Sequence, residues 1–161
     1  MKRSLLLAFI VCCNQTGDSS LNLTHHEPLE DCATETIKLE SPVSVFVTPS
    51  IYHAVESQCD SDPFVTACNK RITDPSTDRI VALSRNLLKP SIWHSDSQGY
   101  NLDAPFAFGD SIYVQGTGEL DGIWYIYDSM NRRHTNRIDF LVNQTIRGYD
   151  FPLDGIIITA L

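Results

Sequence analysis

Two aspartates, Asp128 and Asp139, stand eleven residues apart, one at the end of an apolar run and one inside the next. A carboxyl works as a general acid only if it keeps its proton near working pH, and an exposed aspartate, with a pKa of about 3.9, does not. Burial or a neighbouring carboxylate raises that value. Asp139 has Ile138, Phe140 and Leu141 around it, so its surroundings are apolar. If its strand lies beside that of Asp128, about 4.8 Å away, the two acids can share one site, one ionised and one protonated. The plainer roles are a turn cap for Asp128 and ion pairing of Asp139 with Arg132, Arg133 or Arg137. Between them, Asn131-Arg132-Arg133-His134 is a positive spot on an acidic chain, suited to bidentate contact with carboxylates or to solvation as a hairpin loop. Trp124, Tyr125 and Tyr127 offer flat faces for stacking, although strand alternation sends some of them into a core.

Other chemistries find less support. His53 and His94 lack partners at catalytic spacing, and neither Ser84 nor Ser111 sits in a nucleophile elbow. Gly116-Thr117-Gly118 leads into a strand rather than a helix, which argues against a phosphate cradle. His25, His26 and Glu27 are adjacent in a polar segment and make a poor ligand set, and no C-x-x-C is present. The expectation is therefore no metal and no cofactor. The 161 residues suit one domain, and a formal charge of −8 argues against nucleic acid as a partner.

The N-terminus carries targeting information. Lys2 and Arg3 precede an apolar run, Ser4–Val11, that ends at Cys12-Cys13 and a polar Asn14-Gln15-Thr16. A basic start and a short apolar stretch read as a secretory signal over residues 1–13. The cysteine after the run resembles the lipobox of bacterial lipoproteins, with Cys13 favoured over Cys12 because a smaller residue precedes it. An ordinary signal peptide is the alternative. Either reading exports the chain, and the first adds a lipid anchor as its sole membrane attachment. Residues 14–41 are polar and acidic without a period of 3.6 or 2, as in a solvated tether. Export permits disulfides, and Cys59 with Cys68 would close a short loop, though spacing does not establish the pair.

The elements that must position the two acids are strands. Val43–Thr48 alternates and stops at Pro49; Arg79–Leu83, Ser111–Val114, Gly122–Tyr127, Arg137–Val142 and Ile156–Thr159 are short apolar runs between turn signals. Only Ser84–Lys89 has a helical turn's pattern, ended by Pro90, and 90–106 reads as a surface loop or insertion. Six short strands and no internal repeat predict an all-β domain over 42–161, a small barrel or sandwich with long loops.

Three stretches narrow this. Phe108-Gly109-Asp110-Ser111-Ile112-Tyr113-Val114, Gly122-Ile123-Trp124-Tyr125 and Asp128–Asp139 together resemble the three-aspartate domain of bacterial cell-wall proteins, including membrane-bound lytic transglycosylases, over roughly residues 43–160. Ser57–Ala67 and Ala82–Leu88 are similar to a subgroup of short exported proteins with that domain. The resemblance implies a six-stranded double-psi β-barrel, a peptidoglycan glycan strand as partner, and non-hydrolytic cleavage of its glycosidic bonds. It matches Asp139 to the acid/base and Asp128 to a supporting acid, with Asn131, Arg132, Arg133, Trp124 and Asn86 as substrate contacts. The chain departs from the pattern where the first aspartate belongs, offering Ser84 and Asn86 instead. An amide there holds a hydrogen bond but exchanges no proton near neutrality. A non-catalytic glycan-binding or structural module is the alternative, and the cell envelope is the expected location for both.

Overall fold

The computed structural model of the chain describes residues 41–59 and 61–161; the signal segment, with Cys12 and Cys13, and the tether as far as residue 40 lie outside the described residues. Six strands close into a barrel: β1 (Ser44–Tyr52), β2 (Ile80–Leu83), β3 (Ser111–Gln115), β4 (Gly122–Ser129), β5 (Arg137–Leu141) and β6 (Ile156–Ala160), in the ring order β1-β5-β2-β4-β3-β6. Two 3-10 turns of three residues, Arg85–Leu87 and Asp96–Gln98, are the helical elements among the described residues. The all-β, six-stranded expectation holds.

Period-2 alternation decides which side chains enter the barrel. Val81 and Leu83 of β2, Ile138 and Phe140 of β5, Trp124 and Ile126 of β4, and Ile156 and Ile158 of β6 meet in one core. Trp124 packs edge-on to Phe140 at 4.8 Å between ring centroids. Leaving water stabilises such a side chain by about 2 kcal/mol. This corrects the use of Trp124 as a substrate contact: it is buried, with its indole N–H donating to the Leu120 carbonyl at 2.7 Å.

Pro49 does not end β1. Ser44–Val47 pairs with β6 and Thr48–Tyr52 with β5, so the strand changes partners just where the missing N–H would matter. The continuation places Ser50 and Tyr52 on the barrel's outer face.

The ring has an order the sequence hides. Exchanging β1-β2-β3 with β4-β5-β6 leaves every neighbour relation unchanged, including the two parallel pairs, β1 with β5 and β2 with β4. The connections break this equivalence. Residues 53–79 and 84–110 link the strands of the first half, against 130–136 and 142–155 in the second. The 53–79 excursion folds over the outside of the barrel, where Ala54 and Ile72 bury Tyr52, Ile80, Ala82 and Leu141 in a second apolar cluster.

One irregularity sets the direction of an acid. Val81 pairs with Ile126, but Ala82 pairs with Asp128, so Tyr127 is an extra residue in β4. In unbroken alternation Asp128 would share the inward parity of Trp124 and Ile126 and enter an apolar core. The bulge turns it outward, avoiding a cost of several kcal/mol for an isolated buried carboxylate.

At Gly155 the chain has φ +88°, and a Cβ would lie 2.6 Å from the Val47 carbonyl oxygen and 2.8 Å from the Phe46 ring. Gly109, at φ +95°, has nothing within 4 Å of such a Cβ. Gly155→Ala is expected to destabilise the fold by about 2–3 kcal/mol, and Gly109→Ala by about 1 kcal/mol, in urea unfolding. Equal losses would mean that backbone conformation alone sets both costs.

Candidate functional site

Four outward residues form one row across four strands. Ser50 of β1 pairs with Asp139 of β5, Asp139 with Ala82 of β2, and Ala82 with Asp128 of β4. Three of the four, Ala82, Asp128 and Asp139, line a groove of about 820 Å³, within the range of small-molecule sites. Its walls are the 57–67 segment, the 85–100 segment and the loop after β4, and Tyr52, Ala82, Asp128 and Asp139 all contribute to its surface.

The two acids therefore share a groove but not adjacent strands. With β2 between them, their backbones stand about 10 Å apart. Their environments also differ. Asp128 Oδ1 accepts hydrogen bonds from the Ser129 N–H at 2.8 Å and the Ala67 N–H at 3.0 Å, and Oδ2 accepts one from the Tyr52 hydroxyl at 3.1 Å. It fastens the 53–79 excursion and Tyr52 to the end of β4. Burial, reinforced by the negative charge of Asp128, pushes the Tyr52 phenol well above its ordinary range, so Tyr52 stays a proton-bearing donor.

Asp139 is half-buried, and its Oδ1 is enclosed without a hydrogen-bond partner. Burial raises its pKa above the ordinary 3.8, outweighing the opposing effects of the Ser50 hydroxyl and of Arg137, His134 and His53. Asp128 is not among the causes of that rise. Desolvation, rather than like-charge repulsion, is thus the cause of the rise, and with β2 between the acids the adjacent-strand premise of a shared proton does not hold. The chemical result is a division of labour. Asp139 is a carboxyl whose affinity for a proton is raised by burial, and Asp128 is an acceptor of three hydrogen bonds.

Asn131 and Arg133 border the groove as the sequence suggested, with His134, whose ring accepts a hydrogen bond from the Arg133 side chain at 3.2 Å. Arg132 is exposed and is not part of the groove lining. Asn86 also lies outside it: its amide donates to the Asn136 side chain at 2.7 Å and accepts from the Asn136 N–H at 3.2 Å. Ser84 is buried, and its Oγ accepts from the Arg137 N–H at 2.9 Å. The two residues at the departed aspartate position thus brace the entry to β5. Cys59 and Cys68 are not joined by a disulfide; Cys59 lines the groove, its Sγ 3.5 Å from the His53 carbonyl.

Sequence reasoning missed Ser50, Tyr52, Ala82, Arg85 and Trp93. The signal for Ser50 and Tyr52 was their outward parity in β1, concealed by treating Pro49 as the strand's end. Arg85 lies over the Tyr100 ring at 5.2 Å and donates to the Met130 and Gln98 carbonyls, tying two groove walls together. Comparisons with known protein families, with curated proteins and with solved structures find no match to this chain.

A carboxyl with a raised pKa binds its proton more tightly in the folded than in the unfolded chain. Its contribution to stability is complete below the unfolded value and is lost as pH rises through the folded one. Asp139→Asn abolishes this dependence. Relative to the unmutated protein, the variant's thermal midpoint is expected to rise as pH increases above about pH 4. A difference that is flat with pH, or that moves the other way, would show that burial does not raise the Asp139 pKa.

Proposed function

We propose that the protein cleaves glycosidic bonds of peptidoglycan glycan strands without hydrolysis, using Asp139 as the single acid and base. The observation that carries this reading is the half-buried Asp139 carboxyl on the wall of an open polar groove, its pKa raised by that burial. Protonated Asp139 gives its proton to the glycosidic oxygen, and the C–O bond breaks with its electron pair moving to that oxygen. A hydroxyl of the same sugar then bonds to the anomeric carbon and returns its proton to the Asp139 carboxylate. No water is consumed. Hydrolysis would need a second carboxylate to supply a nucleophile or activate water. Both oxygens of Asp128 already accept hydrogen bonds, which favours the one-acid route.

The ring of six strands with two parallel pairs, equivalent under exchange of halves, supports the double-psi barrel that the three-aspartate resemblance implies. A fold hosts many functions, so the reading rests on the groove rather than on the barrel. A second reading is a non-catalytic glycan-binding module. It is favoured by Ser84 and Asn86, whose hydrogen bonds to the start of β5 leave no third carboxyl at their position.

Incubation with purified sacculi separates the two. The expected products are anhydro-muropeptides, with cleavage reduced at least about 100-fold in Asp139→Asn. Sedimentation with sacculi without release would favour the binding module, and equal cleavage by Asp139→Asn would place the acid elsewhere.

Export to the bacterial envelope on a lipid anchor at Cys13 completes the proposal. It rests on the basic start, the apolar run and the cysteine pair of residues 1–13. Cys13→Ala is expected to move the exported protein from the membrane to the soluble fraction, with Cys12→Ala as comparison. Retention of Cys13→Ala at the membrane would exclude a lipid anchor at that residue.

A further inference from the structure

Trp93 carries 71% of its possible exposure, an unusual amount for the largest apolar side chain, and it lies at the groove that holds Asp139. Its backbone is fixed. Ser91 and His94 bond to each other through both main chains, at 2.9 and 3.1 Å, and the His94 ring bonds to the Ser91 hydroxyl at 2.8 Å. The same hydroxyl accepts from the Trp93 N–H at 3.3 Å. His94 also packs 4.9 Å from both the Tyr100 and Phe108 rings, which roots the turn in the barrel's surroundings. The indole is thus held out into water by a braced turn rather than left there by a loose loop.

We infer that Trp93 is a stacking platform for a pyranose ring of a glycan strand lying in the groove. This rests on the glycan reading above and deepens it, assigning a sugar-binding residue to the groove's wall. A pyranose presents C–H groups on its faces and hydroxyls around its edge. It therefore matches a flat apolar surface set beside polar walls that carry carboxyl and amide groups. The same geometry limits the alternative of a lipid surface. Trp93 shares its groove with Asp128, Asp139, Gln98 and Asn131, polar groups that a bilayer would have to dehydrate.

The chain's two tryptophans make the test specific, because Trp124 is buried in the core and Trp93 is not. The full chain is titrated with a soluble tetramer of N-acetylglucosamine while tryptophan emission is followed, and it is separately sedimented with purified sacculi. The tetramer should shift the emission, and Trp93→Ala should abolish that shift. Sacculus binding should weaken about tenfold in Trp93→Ala and be largely retained in Trp93→Tyr. Unchanged binding by a folded Trp93→Ala would overturn the inference while leaving cleavage by Asp139 standing. An unmutated protein that neither binds nor cleaves sacculi would overturn both. An emission response to anionic lipid vesicles and none to the tetramer would assign the tip to a membrane surface and sink the platform.

Discussion

A small closed barrel allows a strand side chain only two directions, into a core of fixed volume or out of it, and this constraint governs the rest of the structure. The core is filled by large apolar side chains from all six strands, with no room for an ionised carboxylate. Each acid on a strand must therefore be turned outward. Asp139 meets the requirement by ordinary alternation between Ile138 and Phe140. Asp128 meets it only because β4 spends an extra residue at Tyr127. The bulge is thus a condition for the groove: without it, β4 would lose either its packing or its acid.

Turning outward does not by itself make a reactive carboxyl, since an aspartate in open water is ionised at neutral pH. The 53–79 excursion changes that by covering the outer face of the same strands with a second apolar cluster. Asp139 lies at the margin of that cover, desolvated enough to raise its pKa and still on the wall of the groove. Asp128 contributes by fastening the excursion through the Ala67 N–H and the Tyr52 hydroxyl. Its part in the proposed chemistry is to position the cover rather than to repel charge from its neighbour.

The same constraint separates what was legible in the sequence from what was not. Strand positions follow from local alternation and turn chemistry, so five of the six elements have nearly the limits that the pattern suggests. The loop after β4 was also visible, because its charge and its place between two apolar runs are local features. The β1 extension through Pro49 was hidden, since it depends on a change of partner strand. The fates of the two tryptophans depend on tertiary structure in the same way. Trp124 has inward parity in a strand, whereas Trp93 lies in a segment with no period, and only the His94 packing reveals that its exposure is built. Likewise, Ser84 and Asn86 look like substitutes for an acid until their hydrogen bonds show them holding β5 in place.

The pseudo-symmetry of the ring bears directly on how the two acids are spaced. Exchange of the two halves maps the row Ser50–Asp139–Ala82–Asp128 onto itself in reverse, making Asp139 equivalent to Ala82 and Ser50 equivalent to Asp128. A symmetric choice of residues at the central pair would set two carboxyls on adjacent strands about 5 Å apart, and like charges that close would share a single proton. The chain instead places its smallest chiral side chain beside Asp139. Ala82 sets no second carboxyl beside Asp139, whose pKa is raised by burial against the opposing effects of the Ser50 hydroxyl, Arg137, His134 and His53. The central pair of the row thus carries one carboxyl rather than two, and the second acid of the groove, Asp128, stands a further strand away.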